Sequence, residues 1–147
     1  MTPLIRAAQP KDIPAMVGLL GQLFQIEKDF FPDPEIQALG LSELLQSKAA
    51  VLVLEADGQV WGMVSLQPLV STALGGIVGV LEDLVIHEDH RGQGWGELLL
   101  EEITKEAKTR GYHGIKLMAD RGNAGALRFY GRLGYYATNL IPMFYEE

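Results

Sequence analysis

The chain has 147 residues, 12 Lys and Arg against 19 Asp and Glu, and a formal charge of −7. That length suits a single domain spanning 1–147, and a composition 48% hydrophobic and 21% charged is that of a globular protein. The absence of cysteine excludes disulfides, thiolate metal sites, iron–sulfur clusters and a cysteine nucleophile, and suits a reducing compartment. The acid excess argues against a nucleic-acid partner, which needs a basic face to neutralise phosphates.

No stretch approaches the roughly 18–20 apolar residues that span a bilayer. Met1 to Arg6 lacks the basic region and apolar core of a signal peptide, so a cytoplasmic protein without a membrane partner is expected. Charge is unevenly placed. Residues 1–90 carry 4 basic and 12 acidic side chains, whereas residues 91–147 carry 8 basic and 7 acidic. Either this is chance, or the second part handles an anionic ligand while the first meets a cation.

In chain order, Thr2 to Arg6 reads as a strand and Asp12 as the N-cap of a helix opening at Ile13-Pro14. Met16, Leu19, Leu20, Leu23 and Phe24 recur at helical spacing until Phe31-Pro32-Asp33-Pro34 breaks the helix. A second helix carries Ile36, Leu39, Leu41, Leu44 and Leu45. Ala50 to Glu55 and Val60 to Leu66 form a hairpin across Asp57-Gly58, with Pro68 closing the second strand. Ile77 to Ile86 is a third strand of this group, and residues 94–110 form a helix ended by Gly111. Ile115 to Ala119 is a short strand, Asn123 caps a helix from about Ala124 to Leu133, and Tyr135 to Tyr145 is strand-like around Pro142. The order predicts an α+β, or mixed α/β, layout around one mainly antiparallel sheet.

The informative stretch is Leu84-Val85-Ile86-His87-Glu88-Asp89-His90-Arg91-Gly92-Gln93-Gly94-Trp95-Gly96. A buried strand enters a glycine-rich turn that opens directly into a helix. Such a turn lets the backbone approach a ligand, and the N–H groups of the first helical turn then face it with the dipole favouring an anion. A phosphate or pyrophosphate is the natural occupant. The spacing is neither the dinucleotide fingerprint G-x-G-x-x-G nor a P-loop, since no Gly-Lys-Ser/Thr follows.

Arg91-Gly92-Gln93-Gly94-Trp95-Gly96 instead resembles the coenzyme A pyrophosphate loop of the GNAT superfamily of N-acetyltransferases. The likeness extends over nearly the whole chain. Glu82-Asp83-Leu84-Val85-Ile86 resembles that family's fourth strand. About 30 residues beyond the turn, Asn123-Ala124-Gly125-Ala126-Leu127-Arg128-Phe129-Tyr130 with Leu133-Gly134-Tyr135 resembles its Asn-x-x-Ala-x-x-Phe-Tyr segment. The resemblance implies a central, mainly antiparallel twisted sheet of about six to seven strands flanked by about four helices. It also implies acetyl-coenzyme A as co-substrate, with the backbone of Leu84, Val85 and Ile86 pairing with the pantetheine arm. The amides of Gly92, Gln93, Gly94, Trp95, Gly96 and Glu97 then take the pyrophosphate beside Arg91. Asn123 contacts the coenzyme and Tyr130 lies near its sulfur; homodimers are common in the family.

Direct transfer requires a neutral amine, so a carboxylate near the acceptor must take a proton. Glu82 and Asp83 interrupt an apolar strand, where a carboxylate is costly without a partner or a role. Strand alternation should send them to opposite faces. The pattern resembles the polyamine and small-amine branch, where a glutamate at the Glu82 position is the base, so Glu82 is the expected base. A phenol can protonate a departing thiolate, which suits Tyr130 as the acid, with packing beside Phe129 as its bland alternative. Arg121, Arg128 and Arg132 either add field for the phosphates or are solvated surface.

His87-Glu88-Asp89-His90 lacks the helical His-Glu-x-x-His spacing and reads as a solvated loop, so no metal is expected. The resemblance implies that residues 26–36, between the first two helices, shape the acceptor pocket, and Glu27, Asp29, Asp33 and Glu35 there predict a small cationic amine as substrate. A coenzyme A-binding sensor or scaffold of the same fold, or an enzyme acting on protein N-termini or lysines, are the competing functions.

Overall fold

The computed structural model describes residues 2–27 and 31–146. They fall into two compact units, residues 1–117 and 118–147.

The first unit holds a five-stranded sheet in the order β1-β2-β3-β4-β5, antiparallel except for the parallel pair β4–β5. Its strands are β1 (Leu4–Ala7), β2 (Ala50–Ala56), β3 (Gln59–Ser71), β4 (Gly76–Ile86) and β5 (Ile115–Leu117). Helix α1 (Ile13–Ile26) and helix α2 (Pro34–Gln46) cover one face, where Met16, Leu19, Leu20 and Leu41 pack on Val51, Val53, Met63 and Val85. Helix α3 (Trp95–Thr109) packs against the sheet through fully buried Leu99 and Ile103. A Cβ placed on Gly62 would lie 3.1 Å from Leu99, so that strand position faces α3.

Local sequence explains most boundaries. Asp57 and Gly58 both have positive φ (51° and 75°), the geometry of a two-residue hairpin turn that matches strand twist. Asp33 caps α2 by accepting from Ile36 N at 3.2 Å. Gly111, at φ 75°, ends α3, with its N–H on Lys108 O and that of Tyr112 on Ala107 O.

Four expectations need correction. The Asp12 side chain does not cap α1; it ends a 3-10 turn (Pro10–Asp12) and binds Arg6 through two bonds of 2.8 and 2.9 Å and Gln9 N at 2.8 Å. A guanidinium outcompetes a helix amide for a buried carboxylate. Pro68 does not close β3, which continues to Ser71 beyond the point where β2 has ended opposite Leu66. The sheet has five strands among the described residues, not six or seven. Residues 135–145 form no strand, because strand-like composition is not enough without a neighbour to take the backbone bonds.

The second unit contains helix α4 (Ala124–Arg132), with Asn123 Oδ1 accepting from Ala126 N at 3.0 Å and Gly134 at φ 100° beyond its end. The stretch after it is exposed, with Leu140, Met143, Phe144 and Tyr145 at 85–88% accessibility.

Candidate functional site

Strand β4 carries a bulge in the middle of the predicted site. Ser65 pairs with Glu82 and Met63 with Val85, so Asp83 and Leu84 together oppose Val64. The extra residue is accommodated at Asp83, whose φ of 56° is unusual for a side chain with a Cβ. Glu82 and Asp83 repel one another electrostatically, and Asp83 also feels Glu27 from the end of α1. Burial first, then Glu82 and Glu27, push the Asp83 carboxyl up to about 6. Glu82 itself is exposed, whereas Asp83 is half-buried.

The bulge also resets which backbone groups face outward. Before it, Gly79 donates to Gly114 O on the β5 side. After it, His87 donates to Trp61 O on the β3 side at 2.7 Å, so by register Val85 also bonds to β3 while Leu84 and Ile86 turn away. On that outward side β5 pairs with β4 only over Gly79–Leu81. Leu84 and Ile86 therefore present backbone to the side β5 leaves uncovered. Of the three predicted strand residues, Val85 is committed to the sheet and the core.

The chain then turns through Glu88–His90 into Arg91, Gly92, Gln93 and Gly94 and enters α3 at Trp95. Gly92 and Gly94 have φ of 79° and 84°, and a Cβ on either would meet nothing within 4 Å. Glycine is needed here for backbone conformation, and the space above both positions is open. Trp95, Gly96 and Glu97 occupy the first turn of α3, ahead of the bond from Leu98 N to Gly94 O, and N–H groups at a helix start point out along the axis. Open left-handed glycines leading to a helix N-terminus fit a pyrophosphate.

Several bonds fix this turn. Arg91 Nε donates to Ile86 O at 2.8 Å, Glu88 N donates to Gln22 Oε1 of α1 at 2.9 Å, and Asp89 N donates to His87 Nδ1 at 3.1 Å. His87 and His90 are not a solvated loop. His87 meets Trp61 edge-on at 5.1 Å between centroids, and the His90 ring contacts both Trp61 and Trp95. The sequence offered no signal for Gln22 or Trp61, since contacts across 66 and 29 residues leave no local pattern. No group of three or more metal-ligating side chains occurs among the described residues, and no described helix is long and apolar enough to cross a membrane.

The first unit thus brings together Glu82, Leu84, Val85, Ile86 and the turn from Arg91 to Glu97. Asn123 and Tyr130 belong to the second unit. There Asn123 spends its side chain on the α4 cap, and Tyr130 is half-buried between Phe129 and Tyr135, at 5.2 and 5.5 Å between ring centroids. Arg121 and Arg128 are exposed, and Arg132 lies 5.9 Å from the Phe129 ring centre. Of the acidic residues expected at the acceptor mouth, Asp33 caps α2, and Asp29 lies outside the described residues.

A bulged strand leading through open left-handed glycines to a helix N-terminus, on a mainly antiparallel sheet, makes this an α+β domain. The model of the Acetyltransferase (GNAT) family matches residues 20–135, and the chain belongs to that family. The L-methionine sulfoximine/L-methionine sulfone acetyltransferase of Pseudomonas paraeruginosa is 31% identical over 68 residues, 46% of this chain and 40% of that protein. The chain spans between 28% and 40% of the length of the curated relatives it matches. Among solved structures, a protein from Clostridium difficile 630 described as a possible acetyltransferase superposes with a TM-score of 0.87 at 17% identity, covering 100% of this chain and 99% of the other. A transcriptional regulator from Bacillus halodurans C-125 gives 0.85 at 26% identity, covering 99% and 100%.

Proposed function

We propose that the chain is an acetyl-coenzyme A-dependent N-acetyltransferase acting on a small cationic amine, without a metal. The observation that carries this reading is β4 after its bulge: Leu84 and Ile86 face the side left uncovered by β5 and lead into the left-handed glycines ahead of α3. Leu84 and Ile86 hold the pantetheine arm as an added strand would, and the amides from Gly92 to Glu97 receive the pyrophosphate. Asn123 adds a contact to the coenzyme from the head of α4.

In the transfer the amine nitrogen bonds to the acetyl carbon, the carbon–sulfur bond breaks, and the thiolate leaves. Glu82 takes the amine proton through a water, and the Tyr130 hydroxyl supplies one to the sulfur. A second reading gives the proton to Asp83, favoured by its inverted backbone and an acidity near 6 that suits a base at neutral pH. The cationic acceptor is supported by the mutual influence of Glu27, Glu82 and Asp83. Exposed Phe31, Ile36 and Leu39 nearby in sequence suit an acceptor with methylene spacers, as in a polyamine. A cytoplasmic homodimer completes the proposal, supported by the exposed apolar residues between Leu140 and Tyr145 and checked by sedimentation.

The decisive test is thiol release from acetyl-coenzyme A with spermidine, an aminoglycoside, a neutral amino acid, a lysine peptide and a free N-terminal peptide. Turnover should favour the cationic small amines and weaken as salt screens the mouth. Tyr130→Phe should lower kcat roughly 10²-fold with coenzyme affinity unchanged. Coenzyme binding with no turnover on any amine would instead establish the sensor or scaffold reading, to which the regulator-like neighbour lends support.

A further inference from the structure

His90 stands one residue before the phosphate turn and is not accounted for by acetyl transfer. Its ring stacks on Trp95 with 12° between planes and centroids 5.0 Å apart. It also meets the Trp61 ring, at 4.2 Å between centroids and 58° between planes. Its Nδ1 is buried with no hydrogen-bond partner among the described residues. With Nδ1 unpartnered, the recorded contacts of this side chain are those of its ring with Trp61 and Trp95.

The three rings join β3 to the head of α3. Trp61 is anchored at the hairpin end of β3, its indole N–H donating to Ala56 O at 3.1 Å. Trp95 is the first residue of α3 and is 6% exposed. Between them the backbone passes through Gly92 and Gly94, which resist bending least. The bonds that fix the turn end at Arg91, so past the two glycines the direction of the first helical N–H groups is set by how Trp95 is seated.

We propose that His90 is a positioning residue: an aromatic plate packed against Trp61 and Trp95 that seats the start of α3 and so aims its amides at the coenzyme pyrophosphate. This rests on the coenzyme reading above. The plate needs an aromatic face and no ring nitrogen, so Phe should replace His, whereas Ala should not.

The experiment compares His90→Ala and His90→Phe with the parent in acetyl-coenzyme A calorimetry, steady-state kinetics and tryptophan emission. Trp61 and Trp95 are the chain's two tryptophans, so emission reports on the stack directly. For His90→Ala we expect coenzyme Kd and KM to rise about tenfold, kcat to stay within about threefold, and emission to shift to the red. His90→Phe should match the parent in all three and melt no lower, because it removes an unpaired buried nitrogen. If His90→Phe is as impaired as His90→Ala, or if His90→Ala binds coenzyme like the parent, the proposal is overturned. Should His90→Ala fail to fold, His90→Phe and His90→Gln decide the matter, since Gln keeps polar atoms and loses the plate. A parent that binds no coenzyme would defeat the functional reading, whereas emission from His90→Phe and His90→Gln would still judge the plate.

Discussion

The two halves of β4 are one continuous strand with opposite duties. From Gly76 to Leu81 it is bonded to β3 and, over Gly79–Leu81, to β5 as well. From Glu82 to Ile86 β3 is its one partner strand, the pairing is broken by a bulge, and it holds both carboxylates. The glycines around the two halves tell the same story. A Cβ on Gly79 would lie 2.5 Å from Leu66 Cδ1 and 2.7 Å from its Cγ, so that glycine admits a neighbour from the core. Gly92 and Gly94, just past the second half, have empty space above them. One half withholds a side chain so that the sheet can close on its core, and the other goes unpaired on the β5 side.

Substitutions can break this contrast. The largest effect is expected at the bulge. Glu82→Gln should lower kcat/KM roughly 10²-fold if Glu82 is the base. Asp83→Asn should do so instead if Asp83 is, and should then abolish the fall in kcat/KM as pH drops through about 6. Asp83→Asn should also stabilise the protein at pH 7–8, by roughly 1–2 kcal/mol in thermal or denaturant unfolding. The sign follows from linkage: the folded state holds the Asp83 proton more tightly than the unfolded chain, so stability falls as pH rises from the ordinary carboxylate range through about 6. Asn also tolerates the left-handed backbone better than Asp.

Next come the glycines. Gly79→Val should cost about 1–3 kcal/mol by overpacking against Leu66. Gly94→Val should weaken coenzyme binding at least tenfold, or about 1.4 kcal/mol, in calorimetry on protein that remains folded. If Gly79→Val harmed binding alone, or if Gly94→Val left binding intact, the division between the halves would not hold.

The smallest effect lies away from β4. Arg6 holds the Asp12 carboxyl below its usual range, so Asp12 contributes stability above the ordinary carboxylate range and loses it as pH falls through its depressed value. Asp12→Asn should therefore be less stable than the parent at pH 7, by about 1 kcal/mol, with the gap closing in acid. A gap independent of pH would assign Asp12 a packing role only.

What could be read from the sequence was mostly short in range. The glycine turn into α3 was legible because Gly92 and Gly94 stand directly ahead of the helix and take left-handed backbone, and the α4 cap because Asn123 acts on a residue three positions away. The helical stripe of α1 was legible because Met16, Leu19 and Leu20 answer to a single face. The Asp83 bulge was not, since an extra residue shows only when β3 and β4 are laid side by side. Asp12 was misread because its partner, Arg6, competes from β1. Ile36 and Leu39 fitted a buried stripe yet are 65% and 69% exposed, since α2 buries only Leu41 fully. The stacked rings at His90 come from three separate elements and left no pattern at all.

Pro68 has a bearing on solubility. It pairs with Gly79, whose own N–H points to Gly114, so this is a position where facing residues share no bond and the Pro68 nitrogen looks outward. Outward there means the margin of β3 that β2 no longer covers beyond Ala50. The neighbouring Leu69 and Val70 are 44% and 71% exposed, and an uninterrupted row of donors beside them would invite a foreign strand to zip on. The ring removes one donor from that row and pushes bulk into its path. The residue that looked like the end of a strand is a guard against aggregation placed partway along it.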